Sequence, residues 1–294
     1  MQTILVPIDF SAEAENALLY ANKLAVRLPA EVVLVHSTAD EAPAPALRAA
    51  RLARLAALAE RLRYQQLTRQ DGRRLSYHFH VVAEALPDCL DVLVAGYCAS
   101  LVVAGLTLTD CAATAAGTPL ALLPERVRCP VLLVPPGRHE LPSRVVVSGD
   151  FGRLGGAQLA PLAGLGRTPA AHFDLVQFHA PTSTGLAPLK KALLAARAHL
   201  PGAAVHLLAD DDALEGLGEF CARQQAQLLV LATADGCLVR RFFNPLYRRT
   251  HAYHLRVPAL LLPTSTLPTP ACCARCALRQ SAEAQLLARP ASAF

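Results

Sequence analysis

The chain repeats itself, and that repeat limits its fold more than any other feature. The segment ILVPIDF at 4–10 returns as VVVSGDF at 145–151, which sets Asp9 and Asp150 at matching points 141 residues apart. EVVLVHS at 31–37 matches DLVQFHA at 174–180 and pairs His36 with His179. SLVVAG at 100–105 matches QLLVLA at 227–232, and RVRCPVLLVP at 126–135 matches HLRVPALLLP at 254–263. Matches that keep one order identify a tandem duplication.

Each unit alternates short Val/Ile/Leu runs with longer helical stretches. Runs that are apolar on both faces predict buried parallel strands rather than a one-sided antiparallel sheet. Between residues 47 and 70, Leu52, Leu55, Leu58 and Leu62 recur at helical spacing, with Arg48, Arg51, Arg54 and Arg61 elsewhere on the surface, so this stretch reads as a crossover helix. Ser11 is the expected cap of the helix after the first strand, with Glu13 and Glu15 in the first turn, where the helix dipole favours negative charge. The chain is therefore expected to form two doubly wound α/β domains, 1–136 and a degenerate copy at 143–266. PPGRHELPS at 135–143 joins them, and a Cys-containing tail follows at 267–294, with a short helix over 281–289.

Composition narrows the function classes. Hydrophobic residues make up 53% and charged residues 17%, which gives ample material for a core, built from Leu, Val and Ala because Trp is absent. No apolar run reaches the roughly 18 residues a spanning helix needs, and the opening MQTILVPIDF has no leader-peptide pattern, so a cytoplasmic protein without a membrane partner is expected. Of nine cysteines, Cys89, Cys98, Cys111, Cys129, Cys221 and Cys237 are scattered singly through apolar segments and read as reduced. Cys272, Cys273 and Cys276 lack a second pair to close a tetrahedral metal shell. His78 and His80 on the third strand, and His251 and His254, likewise lack a third ligand at convincing spacing, and no metal site is expected.

The net charge of +5 is uneven. Residues 1–142 carry 13 Lys+Arg against 14 Asp+Glu, and residues 143–294 carry 15 against 9. Arg240, Arg241, Arg248 and Arg249 would fall on roughly one side of a helix, and without the denser stripe and interleaved aromatics of a nucleic-acid surface they read as a solvated face or a weak anion site. There is no Gly-x-Ser-x-Gly elbow and no Walker loop with its lysine, so hydrolase and kinase chemistry have nothing to stand on.

Together VPIDFS with its Asp9, VLVHS, LVVAG before a glycine-containing loop, and the closing RCPVLLVP resemble the universal stress protein family in its tandem form. The resemblance is closer over 1–136 than over 143–266. It implies a parallel sheet of order 3-2-1-4-5 in each domain and a pseudo-dimer packed through the last strands. Family members that bind ATP carry Gly, two residues, Gly, nine residues, Gly, then Ser or Thr after the fourth strand. Glycines let backbone amides approach phosphate oxygens, and a hydroxyl at a helix N-terminus adds to them. Here Gly105 holds the first position and Gly117 with Thr118 the last pair, but Leu108 replaces the second glycine and eight residues follow it instead of nine.

The candidate nucleotide residues are accordingly Pro7, Ile8, Asp9, Ser37, Gly105, Gly117 and Thr118. Asp9 and Asp150 also read as local turn-formers, and Gly117-Thr118-Pro119 also reads as an ordinary helix start. In the second copy Ala232, Asp235 and Pro245-Leu246 occupy the matching loop positions, so no ATP is expected there. The expected role is non-enzymatic and stress-responsive, with weak binding of ATP or another adenine nucleotide in the first domain and no metal beyond nucleotide-associated Mg. An ATP-binding switch with slow hydrolysis, and an interaction module with both sites dead, stand as alternatives. Partners expected are the other half of the chain, a second copy in a homodimer, and an unidentified protein.

Overall fold

Val, Ile and Leu fill the strand cores, and two helix-bearing halves grow around them. A computed structural model describes residues 2–39, 44–68, 75–106, 127, 129–137, 140–154, 156, 159, 162, 171–231 and 257–262. In the first half, β1 (Gln2–Pro7), β2 (Ala30–Ser37), β3 (Tyr77–Val82), β4 (Leu101–Gly105) and β5 (Val131–Val134) alternate with α1 (Ala12–Arg27), α2 (Pro45–Thr68) and α3 (Leu86–Gly96). The second half holds β6 (Arg144–Ser148), β7 (His172–His179), β8 (Ala204–Ala209), β9 (Leu228–Leu231) and β10 (Ala259–Leu261), with α4 (Ala187–Arg197) and α5 (Ala213–Gln224).

The strands form one sheet in the order β3-β2-β1-β4-β5-β10-β9-β6-β7-β8. Each half keeps the expected 3-2-1-4-5 order, and the one correction is that the two halves share a single continuous sheet. Within each half the pairing is parallel, but β5 and β10 meet antiparallel, with Leu132 opposite Leu260, and this fuses the halves edge to edge. The reason is physical: each half ends on a short apolar strand, VLLV or ALL, whose free backbone edge is satisfied by its counterpart. The apposition through last strands that the resemblance implies is thus a main-chain seam.

The helices divide by face as the connections demand. The chain runs from β1 through β2 to β3, with α1 and α2 packed on one face. It then returns past β1 to β4 with α3 on the other, because right-handed crossovers in opposite directions cover opposite faces. The second half repeats this, α4 sharing the face of α1 and α5 that of α3. Leu55, Leu58 and Leu62 of α2 are buried and Leu52 packs against them, as their spacing predicts. Ser11 caps α1, its Oγ accepting from the Ala14 amide at 3.1 Å.

Candidate functional site

The strand order reverses between β1 and β4, and the carboxyl ends of the strands at such a switch point are the usual place for a ligand in an open α/β sheet. Pro7 ends β1 opposite Val35, Ser37 ends β2, and Gly105 ends β4 on the other side of β1. The fold therefore brings Pro7, Ile8, Asp9, Ser37 and Gly105 to one edge. Gly117, Thr118 and Leu108 lie outside the described residues, as do Cys111, Cys237, the second-copy loop positions, the basic face at 240–249, His251, His254 and the tail.

Several of the residues at this edge have structural work. Asp9 is exposed, and its Oδ1 accepts from the Ser11 amide at 2.8 Å and from the Ser11 hydroxyl at 2.6 Å, which fixes the turn into α1. Asp150 does the same in the second half, accepting from the Gly152 amide at 3.0 Å, and its Oδ2 lies 3.4 Å from Arg153 Nε. The turn-forming reading of both aspartates holds, and among the described residues a cation, Arg153, engages the second oxygen of Asp150 and none that of Asp9. Ser37 Oγ donates to the Glu84 carbonyl at 2.7 Å and accepts from the Ala39 amide at 3.2 Å. At Gly105 a Cβ would stand 2.4 Å from the Glu13 carbonyl oxygen, so the missing side chain is what lets the start of α1 lie against β4.

Beside Asp9 the structure adds a cluster that sequence reading did not assemble. Phe10 takes a left-handed backbone, φ 64°, rare for a bulky residue. Its ring lies 4.6 Å from that of His36, and the Arg54 guanidinium sits 4.0 Å over it, with Arg51 at 5.9 Å. His36 is buried. Its Nδ1 donates to the Ile8 carbonyl at 2.7 Å, and its buried Nε2 has no partner among the described residues. The repeated Asp-Phe pair and the arginines at every third position of α2 were the available signals.

The repeat pairs His36 with His179, but their hydrogen bonds differ. His179 Nδ1 meets the carbonyl of its own neighbour, Ala180, at 2.9 Å and does not reach back to the first strand. In the second half Phe151 lines an open pocket of about 370 Å³ with Lys191 and His199, where the first half has the arginine stack.

Among the described residues the histidine pair of β3 is occupied by protein. His78 Nε2 meets Glu31 Oε2 at 3.2 Å and His80 Nδ1 meets the Tyr97 hydroxyl at 3.0 Å. No group of three potential metal ligands occurs among those residues, and no described helix is long and apolar enough to cross a membrane. Burial pushes the Cys129 thiol up to about 11 and the Cys221 thiol up to about 12, which keeps both protonated and unreactive.

With this geometry in place, residues 1–135 match the profile of the universal stress protein family. The first half of the chain belongs to that family. No curated protein matches the chain by sequence. The universal stress protein fold extends over both halves. A universal stress protein from Archaeoglobus fulgidus DSM 4304 aligns with 90% of this chain and 97% of its own at 12% identity and a TM-score of 0.62. A putative universal stress protein from Pseudomonas aeruginosa UCBPP-PA14 aligns with 89% and 93% at 17% identity and a TM-score of 0.53. A functionally unknown protein from Pseudomonas aeruginosa PAO1 aligns with 90% and 93% at 16% identity and a TM-score of 0.53. At such identities the likeness carries the fold and leaves ligands to be argued from this chain's own residues.

Proposed function

We propose that the chain is a non-enzymatic, cytoplasmic universal stress protein whose first half holds one adenine nucleotide weakly at the edge formed by Pro7, Ile8, Asp9, Ser37 and Gly105, with Gly117 and Thr118 toward the phosphates. The observation that carries this reading is the exposed Asp9 carboxylate beside the β1/β4 switch point. Its Oδ1 is held by Ser11, and among the described residues no hydrogen bond engages Oδ2, which in this reading accepts from a base or sugar hydroxyl. Weakness follows from the same inventory. Ser37 and Gly105 already have structural partners, and no lysine is near this edge, so charge neutralisation falls to backbone amides and the α2 arginines. The second half binds none in this reading, since Asp150 faces Arg153.

Calorimetric titration of the full chain with ATP, AMP and adenosine tests the proposal. Because Asp9→Ala would also break the turn into α1, the informative variant is Asp9→Asn, which keeps the Oδ1 acceptor and removes the charge. One site per chain, weakened in the variant, is expected. No binding at millimolar nucleotide would leave the chain an interaction module, and two sites would refute the restriction to the first half.

A further inference from the structure

At the opposite end of β1 from Asp9, a stretch of roughly 20 Å at 3.3 Å per residue, the seam between the halves carries a half-open cavity of about 210 Å³. Its floor is one apolar row across the seam: Ile4 beside Leu101, then Leu132 opposite Leu260. One face of α1, at Tyr20, Leu24 and Leu28, forms a wall, and Leu228 closes the side of the second half. Ile4, Leu24, Leu132, Leu228 and Leu260 are each at most 6% exposed, whereas Gln2 and Ser100 are exposed, so the pocket has a buried apolar floor and a mouth open to solvent.

The chemistry of the lining selects its occupant. Among the described residues no charged side chain lines it, and the polar lining groups are Gln2, Ser100 and the Tyr20 ring with its hydroxyl. Ser100 Oγ is bonded to the Thr3 carbonyl at 3.1 Å. Water needs two to four polar partners to be held in place, and the bond to Thr3 takes the Ser100 hydroxyl. The rest of the lining, apart from Gln2 and the Tyr20 hydroxyl, is apolar, the kind of surface that takes up benzene in a cavity of about 150 Å³ in another protein. An ion would lose its hydration with nothing to replace it. We propose that this cavity is a binding site for a small neutral apolar molecule, one aromatic ring or a short aliphatic chain in size, separate from the nucleotide edge. Its walls come from both halves, so an occupant adds contacts across the seam and stiffens the junction of β5 with β10.

The probes are toluene, indole and benzoate, used on the full chain. Toluene or indole at ten times its Kd is expected to raise Tm by about 3 °C. It should also shift the methyl resonances of Leu24, Leu132, Leu228 and Leu260 together, while benzoate, the same ring with a charge, does neither. Leu24→Phe and Leu260→Phe fill the space from opposite halves, and each is expected to abolish the toluene response; two variants guard against one that folds poorly. The proposal is overturned if the intact chain takes up neither neutral probe, if methyl shifts cluster around Asp9, if benzoate binds equally, or if well-folded filling variants respond like the parent.

Discussion

Gly105→Ala is the sharpest test of the claim that this glycine serves the packing of α1. The new Cβ would stand 2.4 Å from the Glu13 carbonyl oxygen, 2.6 Å from its carbon and 3.0 Å from the Ala14 nitrogen. All three are backbone atoms of the first turn of α1, so no side-chain rotamer can relieve the clash and the helix itself must move. That turn is pinned by Ser11 Oγ on the Ala14 amide and by Asp9 on Ser11, and Gly105 is locked opposite Val134 in the sheet. Overpacking of a rigid site costs about 1–3 kcal/mol, and a clash with pinned backbone belongs at the upper end, about 3 kcal/mol. With a urea m-value of about 3 kcal/mol/M for a chain of this size, the midpoint should fall by about 1 M. Gly96→Ala is the control: nothing lies within 4 Å of its Cβ, it ends α3, and a change between no effect and about 1 kcal/mol of stabilisation is expected. Equal midpoints for the two variants would refute the packing role and return Gly105 to the ligand alone.

Ser11→Ala should cost about 1 kcal/mol in the same assay, because it removes the α1 cap and the hydroxyl bond to Asp9 Oδ1 while the residue 11 amide still donates there; a loss under 0.3 kcal/mol (roughly the value for a cap replaced by Gly) would count against that cap. A double-mutant cycle on Asp174 and His206, joined at 2.8 Å and partly buried, should give a coupling of about 1–2 kcal/mol. The more exposed Glu31–His78 pair should give less than about 1 kcal/mol, and the reverse ranking would contradict the burial argument. Alkaline stability should fall. Burial pushes the Cys221 thiol and the Tyr77 phenol each up to about 12, so the stability tied to their protonated forms is complete below their unfolded values, near 9 and 10, and is lost as pH rises toward 12. Urea midpoints from pH 8 to 12 should therefore decline, and Cys221→Ala should flatten the onset above pH 9; an unchanged slope in that variant would assign the decline elsewhere.

The topology was legible because it rests on repeated strand runs and on connection length. A run such as VVLV can be buried on both faces only in a covered parallel sheet, and Leu55, Leu58 and Leu62 declare the side on which α2 packs. The fusion into one sheet was not legible, since VLLV and ALL read alike whether an edge is capped by a partner strand, a helix or a second chain. At the site, Asp9 was legible as a residue and not as a geometry. Its spacing to Ser11 permits both a ligand contact and a turn, and the hydrogen bonds show that the turn takes one oxygen and leaves the other. The stack of Phe10 on His36 and Arg54 depends on how α2 crosses the end of β1, a long-range relation that residue spacing does not encode.

The two halves separate what duplication kept from what it released. In the first half a carboxylate on the second strand, Glu31, holds a histidine on the third, His78, whose strand partner is Val33, two residues beyond the carboxylate. In the second half Asp174 holds His206, whose strand partner is Val176, again two residues beyond. The same register relation at both outer ends of the described sheet points to a structural duty: each pair ties an outer strand to the strand beside it. The carboxyl edge shows no such agreement. Asp9 and Asp150 share the turn, but one has an open second oxygen and an arginine stack beside it, and the other has Arg153 and an open pocket. A shared clasp with unshared edges is what selection on stability in both halves, and on ligand contact in at most one, would leave behind. The coupling energies of the two clasps and the nucleotide stoichiometry of the intact chain therefore test one argument from opposite sides.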